Sequence, residues 1–103
     1  MNLFEKVNGL ETLPNGCKII AIDHLAGVVL AGNTDKPHTD GGIEYVTWEF
    51  YRGDLRSTSS GHYYGNDYKG AARDFSVRTE RNYKYVEREL DAEEPRTARS
   101  YSA

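Results

Sequence analysis

Apolar residues near the N-terminus recur at the spacing of an α-helix. Leu3, Phe4, Val7 and Leu10 follow the i, i+3, i+4, i+7 pattern that places side chains on one stripe. This pattern predicts a short helix over residues 2–11. A glycine within it lowers the helix propensity by about 1 kcal/mol relative to alanine, so we expect this helix to depend on packing of its apolar stripe.

Two short runs rich in β-branched residues come next and predict a β-hairpin. A strand over residues 17–24 would be mostly apolar on both faces, which is typical of a central strand. Residues 25–27 can turn the chain into a second strand over residues 28–31. Residues 32–42 consist of types that favour turns or solvent, so we expect a long loop there.

The clearest strand signal covers residues 43–52. Val46, Trp48 and Phe50 alternate with more polar residues at period two, so these three side chains are expected to face the core. Residues 53–54 can form a two-residue hairpin loop. A returning strand over residues 55–64 would be polar in its first half and aromatic in its second, as at a sheet edge or on a solvated face.

A second helix is predicted over residues 67–80, with Asn66 or Asp67 as its N-terminal cap. Its apolar stripe would consist of Tyr68, Ala71, Ala72 and Phe75. The charged residues that fall outside this stripe are Lys69, Arg73, Asp74 and Arg78. Apolar residues keep a helical spacing as far as Leu90, so the pattern permits this helix to continue beyond residue 80.

The order of these elements defines the expected fold class, which is α+β. We expect an antiparallel four-stranded sheet, built as a meander of two hairpins, with a helix packed on one face and a short N-terminal helix. Residues 1–90 would form a single domain. Residues 91–103 carry Pro95, several charges and little apolar content, and are expected to be a disordered tail.

Charge and cysteine content exclude several classes of protein. With 103 residues, 13 Lys and Arg against 16 Asp and Glu, the chain carries a net charge of −3. A general nucleic-acid binder needs an excess of cations, which this chain lacks. One cysteine, Cys17, permits no internal disulfide and is expected to be a small buried residue. No signal-peptide core or membrane-length apolar run occurs, so we expect a cytoplasmic protein.

Standard catalytic and metal-binding motifs are missing from the sequence, which contains no Walker-type loop, GxGxxG or HExxH. Cys17 and His24 lie at opposite ends of one predicted strand, about 20 Å apart, which excludes a local dyad. Asp35, His38 and Asp40 share the long loop but have no diagnostic spacing, and we interpret them as solvated. We therefore expect no enzyme activity, no cofactor and no metal site.

One cluster of arginine and aromatic residues stands out on the predicted second hairpin and the following helix. Guanidinium groups bind phosphate in bidentate fashion, and tyrosine rings stack on bases. The candidate ligand-binding residues are Arg52, Arg56, His62, Tyr63, Tyr64 and Arg73. The alternative is an ordinary solvated sheet face with cross-strand ion pairs, such as Arg56 near Glu49.

A block within residues 43–78 resembles small proteins carried by phages, plasmids and conjugative elements of Gram-positive bacteria. The residues that carry this resemblance are Tyr45-Val46-Thr47-Trp48, Gly61-His62-Tyr63-Tyr64, Ala72, Asp74-Phe75 and Arg78. The resemblance implies a counter-defence protein of one of two kinds. Anti-Thoeris sponges bind a cyclic ADP-ribose signal through arginine and aromatic residues, whereas anti-CRISPR proteins bind a nuclease, often through acidic surfaces.

The sequence therefore predicts a non-enzymatic binding protein of a phage or mobile element that sequesters a nucleotide-type immune signal. The alternative is a protein–protein inhibitor of a host defence nuclease. Its acidic face would consist of Glu87, Glu89, Asp91, Glu93 and Glu94. Self-association is a further expectation, with Trp48, Phe50 and the tyrosines at the interface between copies.

Overall fold

The computed structural model of this chain describes residues 2–51 and 53–102, with described side chains ending at Arg88. Its elements are helix α1 (Leu3–Asn8), strands β1 (Lys18–Asp23), β2 (Val28–Asn33), β3 (Glu44–Tyr51) and β4 (Asp54–Gly65), and helix α2 (Tyr68–Ser102). A single 3-10 turn, Asp40–Gly42, interrupts the long loop before β3. Within this described part, no helix is long and apolar enough to cross a membrane.

The four strands form one antiparallel sheet in the order β1-β2-β3-β4, with both helices packed on one of its faces. This confirms the predicted α+β class and the meander of two hairpins. The second hairpin is tight, since Tyr51 pairs with Asp54. Strand β4 meets β3 through several register shifts, and β-bulges of this kind bend a strand and increase its twist.

Strand β1 lies at the edge of the sheet, so the prediction of a central strand is wrong. Its apolar residues on both faces have a different cause: Ile19 and Ile22 pack with the cluster that contains Leu13 on one face, and Ile20 and Ala21 pack with the cluster beneath the helices on the other. An N-terminal segment also lies along its outer edge. The backbone N–H of Ile19 donates to the carbonyl of Glu11 at 2.7 Å, and that of Leu13 donates to the carbonyl of Cys17 at 2.7 Å. Leu13 is buried, and this segment covers both the strand edge and part of one sheet face.

Apolar side chains are buried on both faces of the sheet. Val46 and Phe50 lie in one cluster with Leu13 and Cys17, on the face opposite the helices, and Trp48 packs against it. The predicted inward orientation is therefore confirmed for Val46 and Phe50, whereas Trp48 is only partly buried. The helices cover the other face, where Tyr45 and Ala71 belong to a second buried cluster.

Helix α2 is much longer than the predicted helix over residues 67–80. It spans 35 residues, or about 52 Å of rise. Asp67 caps its start, because Asp67 Oδ1 accepts the backbone N–H of Gly70 at 2.9 Å. Its backbone is helical through Ser102, whereas the sequence favours a disordered tail over residues 91–103. The side chains there lie outside the described residues, and the tail stays a prediction.

Candidate functional site

One arginine of the predicted ligand site, Arg56, lies near the tip of the second hairpin. Arg52 falls outside the described residues. The Arg56 side chain is 82% exposed, and its Nε donates to Asp54 Oδ1 at 3.2 Å. Hydrogen bonds from the Arg56 backbone N–H and side chain hold the pKa of Asp54 below its usual value. Arg56 therefore forms a local ion pair at the start of β4.

The aromatic part of the predicted site divides between the two faces of the sheet. His62 pairs with Thr47 across the β3–β4 ladder and points towards α2, and Tyr64 packs in the cluster beneath the helices. Tyr63 lies on the opposite face, with its ring 6.2 Å from that of Trp48. One small ligand therefore has no way to contact all three side chains.

Distance also separates the predicted residues. Arg56 and Tyr63 are seven positions apart along β4, roughly 23 Å at the usual rise of a strand. Arg73 is exposed on α2. The structure brings His62 and Tyr64 together around Asp74 but does not bring the six predicted residues into one pocket. Their role in ligand binding stays a prediction.

A buried polar network joins α2 to the sheet, and the sequence did not reveal it. Its central residue is Arg78, which is only 2% exposed. The Arg78 guanidinium donates to the carbonyl and the hydroxyl of Thr47, both at 3.2 Å, and to the carbonyl of Ser60. Its NH2 group also lies 3.7 Å from a carboxylate oxygen of Glu49. These contacts fix the orientation of α2 over β3 and β4.

Asp74 lies one helical turn before Arg78 and completes this network. Its Oδ2 accepts hydrogen bonds from the hydroxyl of Thr47 at 2.6 Å and from Nδ1 of His62 at 2.8 Å. Burial raises the pKa of Asp74, but the hydrogen bonds from Thr47, His62 and Tyr64 outweigh it, so the pKa lies below its usual value. Asp74 is therefore held as a carboxylate.

The same contacts determine the tautomer of His62. Arginine can only donate, so Nε2 of His62, which lies 3.1 Å from NH2 of Arg78, must accept. The proton is then on Nδ1, where it is donated to Asp74. A histidine–carboxylate pair is a common acid–base arrangement, but here both ring nitrogens already have protein partners. We interpret the pair as structural.

A cleft lies at the C-terminal end of β3, between the β1–β2 turn and α2. Its volume is about 640 Å³, within the usual range for small-molecule sites. We call it the helix–turn cleft. The residues that shape it most are Leu25, Phe50, Tyr51, Arg81, Asn82 and Tyr85.

Large apolar side chains of the helix–turn cleft are open to solvent. Leu25 is 56% exposed, Tyr51 75% and Tyr85 65%, while Phe50 is buried at 7%. Exposed tyrosine rings offer faces for stacking while their hydroxyls remain in water. The cleft therefore combines an apolar base with aromatic walls.

Hydrogen bonds between α2 and the β1–β2 turn hold the cleft open in a defined shape. The Asn82 side-chain amide donates to the carbonyl of Ala26 at 2.9 Å, and the Tyr83 hydroxyl donates to the carboxylate of Asp23. Burial raises the pKa of Asp23, but hydrogen bonds from the Ala26 N–H, the Tyr83 hydroxyl and the Leu25 N–H outweigh it and lower the pKa. The turn is thus tied to the helix at two points.

Arg81 supplies the positive charge of the cleft. Its side chain is 61% exposed, and its NH2 donates to Oε1 of Glu49 at 2.9 Å. Glu49 also lies near Arg78, at 3.7 Å, and Asn82, at 3.5 Å. A ligand anion that displaced Glu49 from Arg81 would leave Glu49 with two other partners, so Arg81 can bind such an anion without stranding a carboxylate.

Comparisons with known proteins add nothing to this geometry, since no family model, curated protein or solved structure matches the chain. Among the described residues, no group of three or more His, Cys, Asp or Glu side chains is placed to hold a metal ion.

Proposed function

We propose that this chain is a non-enzymatic binding protein that captures a nucleotide-type ligand in the helix–turn cleft. The observation that supports this proposal most directly is the pairing of exposed tyrosine rings, Tyr51 and Tyr85, with the exposed guanidinium of Arg81 around one cleft. Tyrosine faces stack on bases, and guanidinium groups bind phosphate. The proposal keeps the arginine and tyrosine chemistry predicted from the sequence but assigns it to different residues.

The biological setting follows from the resemblance to proteins of phages and mobile elements. In that setting the ligand would be a nucleotide immune signal, and binding without turnover would remove it from the host. A non-catalytic role is supported by the engaged ring nitrogens of His62, which leave this histidine–carboxylate pair no nitrogen for a substrate.

Isothermal titration calorimetry with cyclic ADP-ribose isomers and cyclic dinucleotides tests the proposal. Tyr85→Ala should weaken binding at least about 5-fold, because stacking on one base contributes roughly 1–3 kcal/mol. The matched control is Tyr63→Ala, since Tyr63 and Tyr85 are 63% and 65% exposed but only Tyr85 lines the cleft. Arg81→Ala and Arg73→Ala form a second matched pair on the same helix.

The outcomes separate three interpretations. Loss of binding with Tyr85→Ala and Arg81→Ala alone supports the cleft. Loss with Tyr63→Ala and Arg73→Ala instead places the ligand at the residues predicted from the sequence. If no nucleotide binds and the purified chain captures a host nuclease, the protein is an inhibitor of the alternative kind.

A further inference from the structure

A second, smaller pocket lies along β3 from Glu44 to Trp48, on the sheet face away from α2. Its volume is about 290 Å³, near the lower limit for small-molecule sites, so it suits a ligand of a single ring. We call it the Trp48 pocket. The residues that line it with aromatic or polar groups are Asn15, Asn33, Lys36, Glu44, Trp48 and Tyr63. None of them lines the helix–turn cleft.

Two aromatic rings form a corner of this pocket. The rings of Trp48 and Tyr63 stand at 89° to each other with centroids 6.2 Å apart. Gly61 makes room for the indole, because a Cβ atom there would lie 2.5 Å from Trp48 Nε1. A perpendicular corner offers one ring face to a ligand and the edge of the other, so it cannot sandwich a flat base between parallel faces.

The polar rim of the pocket presents mainly hydrogen-bond donors. Oδ1 of Asn15 accepts the backbone N–H of Cys17 at 3.0 Å, and Oδ1 of Asn33 accepts that of Asp35 at 2.9 Å. Each amide oxygen already accepts one backbone N–H, so the amide nitrogens, with two N–H groups each, are the main groups that these side chains offer to a ligand. Two donor amides thus lie at the edge of an aromatic corner.

Charge in the pocket is balanced. Nζ of Lys36 lies 3.9 Å from Oε1 of Glu44, so the rim carries one cation and one anion. The base of the pocket is formed by Val46 and Cys17, and burial, with Glu44 nearby, raises the pKa of the Cys17 thiol. An ammonium ligand would be repelled by Lys36, and an anionic ligand would be repelled by Glu44. A neutral ligand meets neither repulsion.

We propose that the Trp48 pocket binds a neutral, hydroxyl-bearing ring of monosaccharide size. A puckered sugar ring has an apolar C–H face that can lie on one aromatic ring, and its hydroxyl groups both accept and donate hydrogen bonds. They can accept from the amides of Asn15 and Asn33 and from Lys36, and donate to the carboxylate of Glu44. Lys36 and Glu44 can each bind a hydroxyl without losing charge balance.

Trp48 is the sole tryptophan of the chain, so its fluorescence reports on this pocket directly. Glucose, galactose, mannose, ribose and N-acetylglucosamine are titrated into the full-length protein, since sugars absorb no light in this range. We expect a saturable change in emission with at least one sugar, at a dissociation constant on the order of 1 mM for so small a ligand. Nucleosides are tested in parallel by calorimetry.

Tyr63→Ala and Lys36→Met should each weaken sugar binding at least about 5-fold, a loss of about 1 kcal/mol. Tyr85→Ala is the control, because its ring is equally exposed but lies in the other cleft. The proposal is overturned if no sugar gives a saturable change, if Tyr63→Ala binds as the parent does, or if nucleosides bind this pocket and sugars do not. A nucleotide that binds without changing the Trp48 emission would bind at the helix–turn cleft and not at the Trp48 pocket.

Discussion

Removal of the buried Arg78 side chain should destabilise the protein more than removal of any exposed charged side chain described on α2. Arg78 is 2% exposed and has four hydrogen-bond contacts with the sheet: two to Thr47, one to Ser60 and one to His62. In Arg78→Ala these acceptors lose their donor. Asp74 and Glu49, which lie 3.9 and 3.7 Å from the guanidinium, lose their nearest buried cation.

The magnitude follows from what remains unpaired. Breaking a buried ion pair by removing one partner costs about 3–5 kcal/mol, and each hydrogen bond to a charged group contributes roughly 1.5–3 kcal/mol. These values overlap and do not add. Water can reach His62, which is half exposed, but not Thr47, and Arg78 Nε has no acceptor among the described residues. We therefore expect a loss of about 3 kcal/mol from a domain stability of roughly 5–15 kcal/mol.

Urea denaturation followed by Trp48 fluorescence and far-ultraviolet circular dichroism measures this loss. Arg73→Ala is the control on the exposed side of the same helix, and its effect should stay within about 0.5 kcal/mol. Arg78→Lys keeps the charge but cannot span the same acceptors, so its loss should be intermediate. A loss below about 1 kcal/mol for Arg78→Ala would refute the view that this network anchors α2.

Three further predictions follow from local contacts. Gly61→Ala should cost about 1–3 kcal/mol by overpacking and should shift the tryptophan emission, because the added Cβ would lie 2.5 Å from the indole nitrogen. The pKa of Asp74 is lower in the folded state than in the unfolded chain, so the carboxylate stabilises the fold fully above its unfolded pKa. This stabilisation is lost as the pH falls through the folded pKa. Asp74→Asn should therefore make the urea midpoint less sensitive to acid. Asn82→Ala removes the hydrogen bond to the carbonyl of Ala26, so it should cost about 1 kcal/mol and increase hydrogen exchange in residues 24–27.

Local patterns predicted the elements of this fold well because their causes are local. Period two in residues 43–52 and the short second turn both depend on neighbouring residues, and both predict the observed hairpin. The position of β1 was mispredicted because its outer edge is covered by a segment without regular structure, Glu11–Leu13. Apolar residues on both faces of a strand show that both faces are covered, but not by which element.

The buried network was missed because Asp74 and Arg78 were placed outside the apolar stripe of the helix. Ala71, Asp74, Phe75 and Arg78 have the spacing i, i+3, i+4, i+7, so the helical period already places all four on one stripe. An aspartate and an arginine on an otherwise apolar stripe can be buried if they pair with each other and with the sheet. Such pairing depends on the register of α2 against β3, which no local pattern determines.

The helix–turn cleft was missed for a different reason: it exists only because α2 continues past residue 80. Arg81, Asn82 and Tyr85 reach the β1–β2 turn from this continuation, which the sequence pattern permitted but did not require. A helix ending at residue 80 would leave Leu25 and Tyr51 on an open surface. Thus the length of one helix decides whether these exposed apolar side chains form a cleft.

Glu49 connects the anchoring of the helix to the cleft, while the Trp48 pocket stands apart from both. Glu49 contacts Arg81 on the cleft side and Arg78 within the network, so an anion bound to Arg81 changes one partner of Glu49 and leaves the other in place. The Trp48 pocket extends along β3 from Glu44 to Trp48, and Trp48 directly precedes Glu49 but lies on the opposite face of the sheet. Since the two openings share no lining residue, ligands that bind them should stabilise the fold additively, and a coupling between them would require movement of β3 itself.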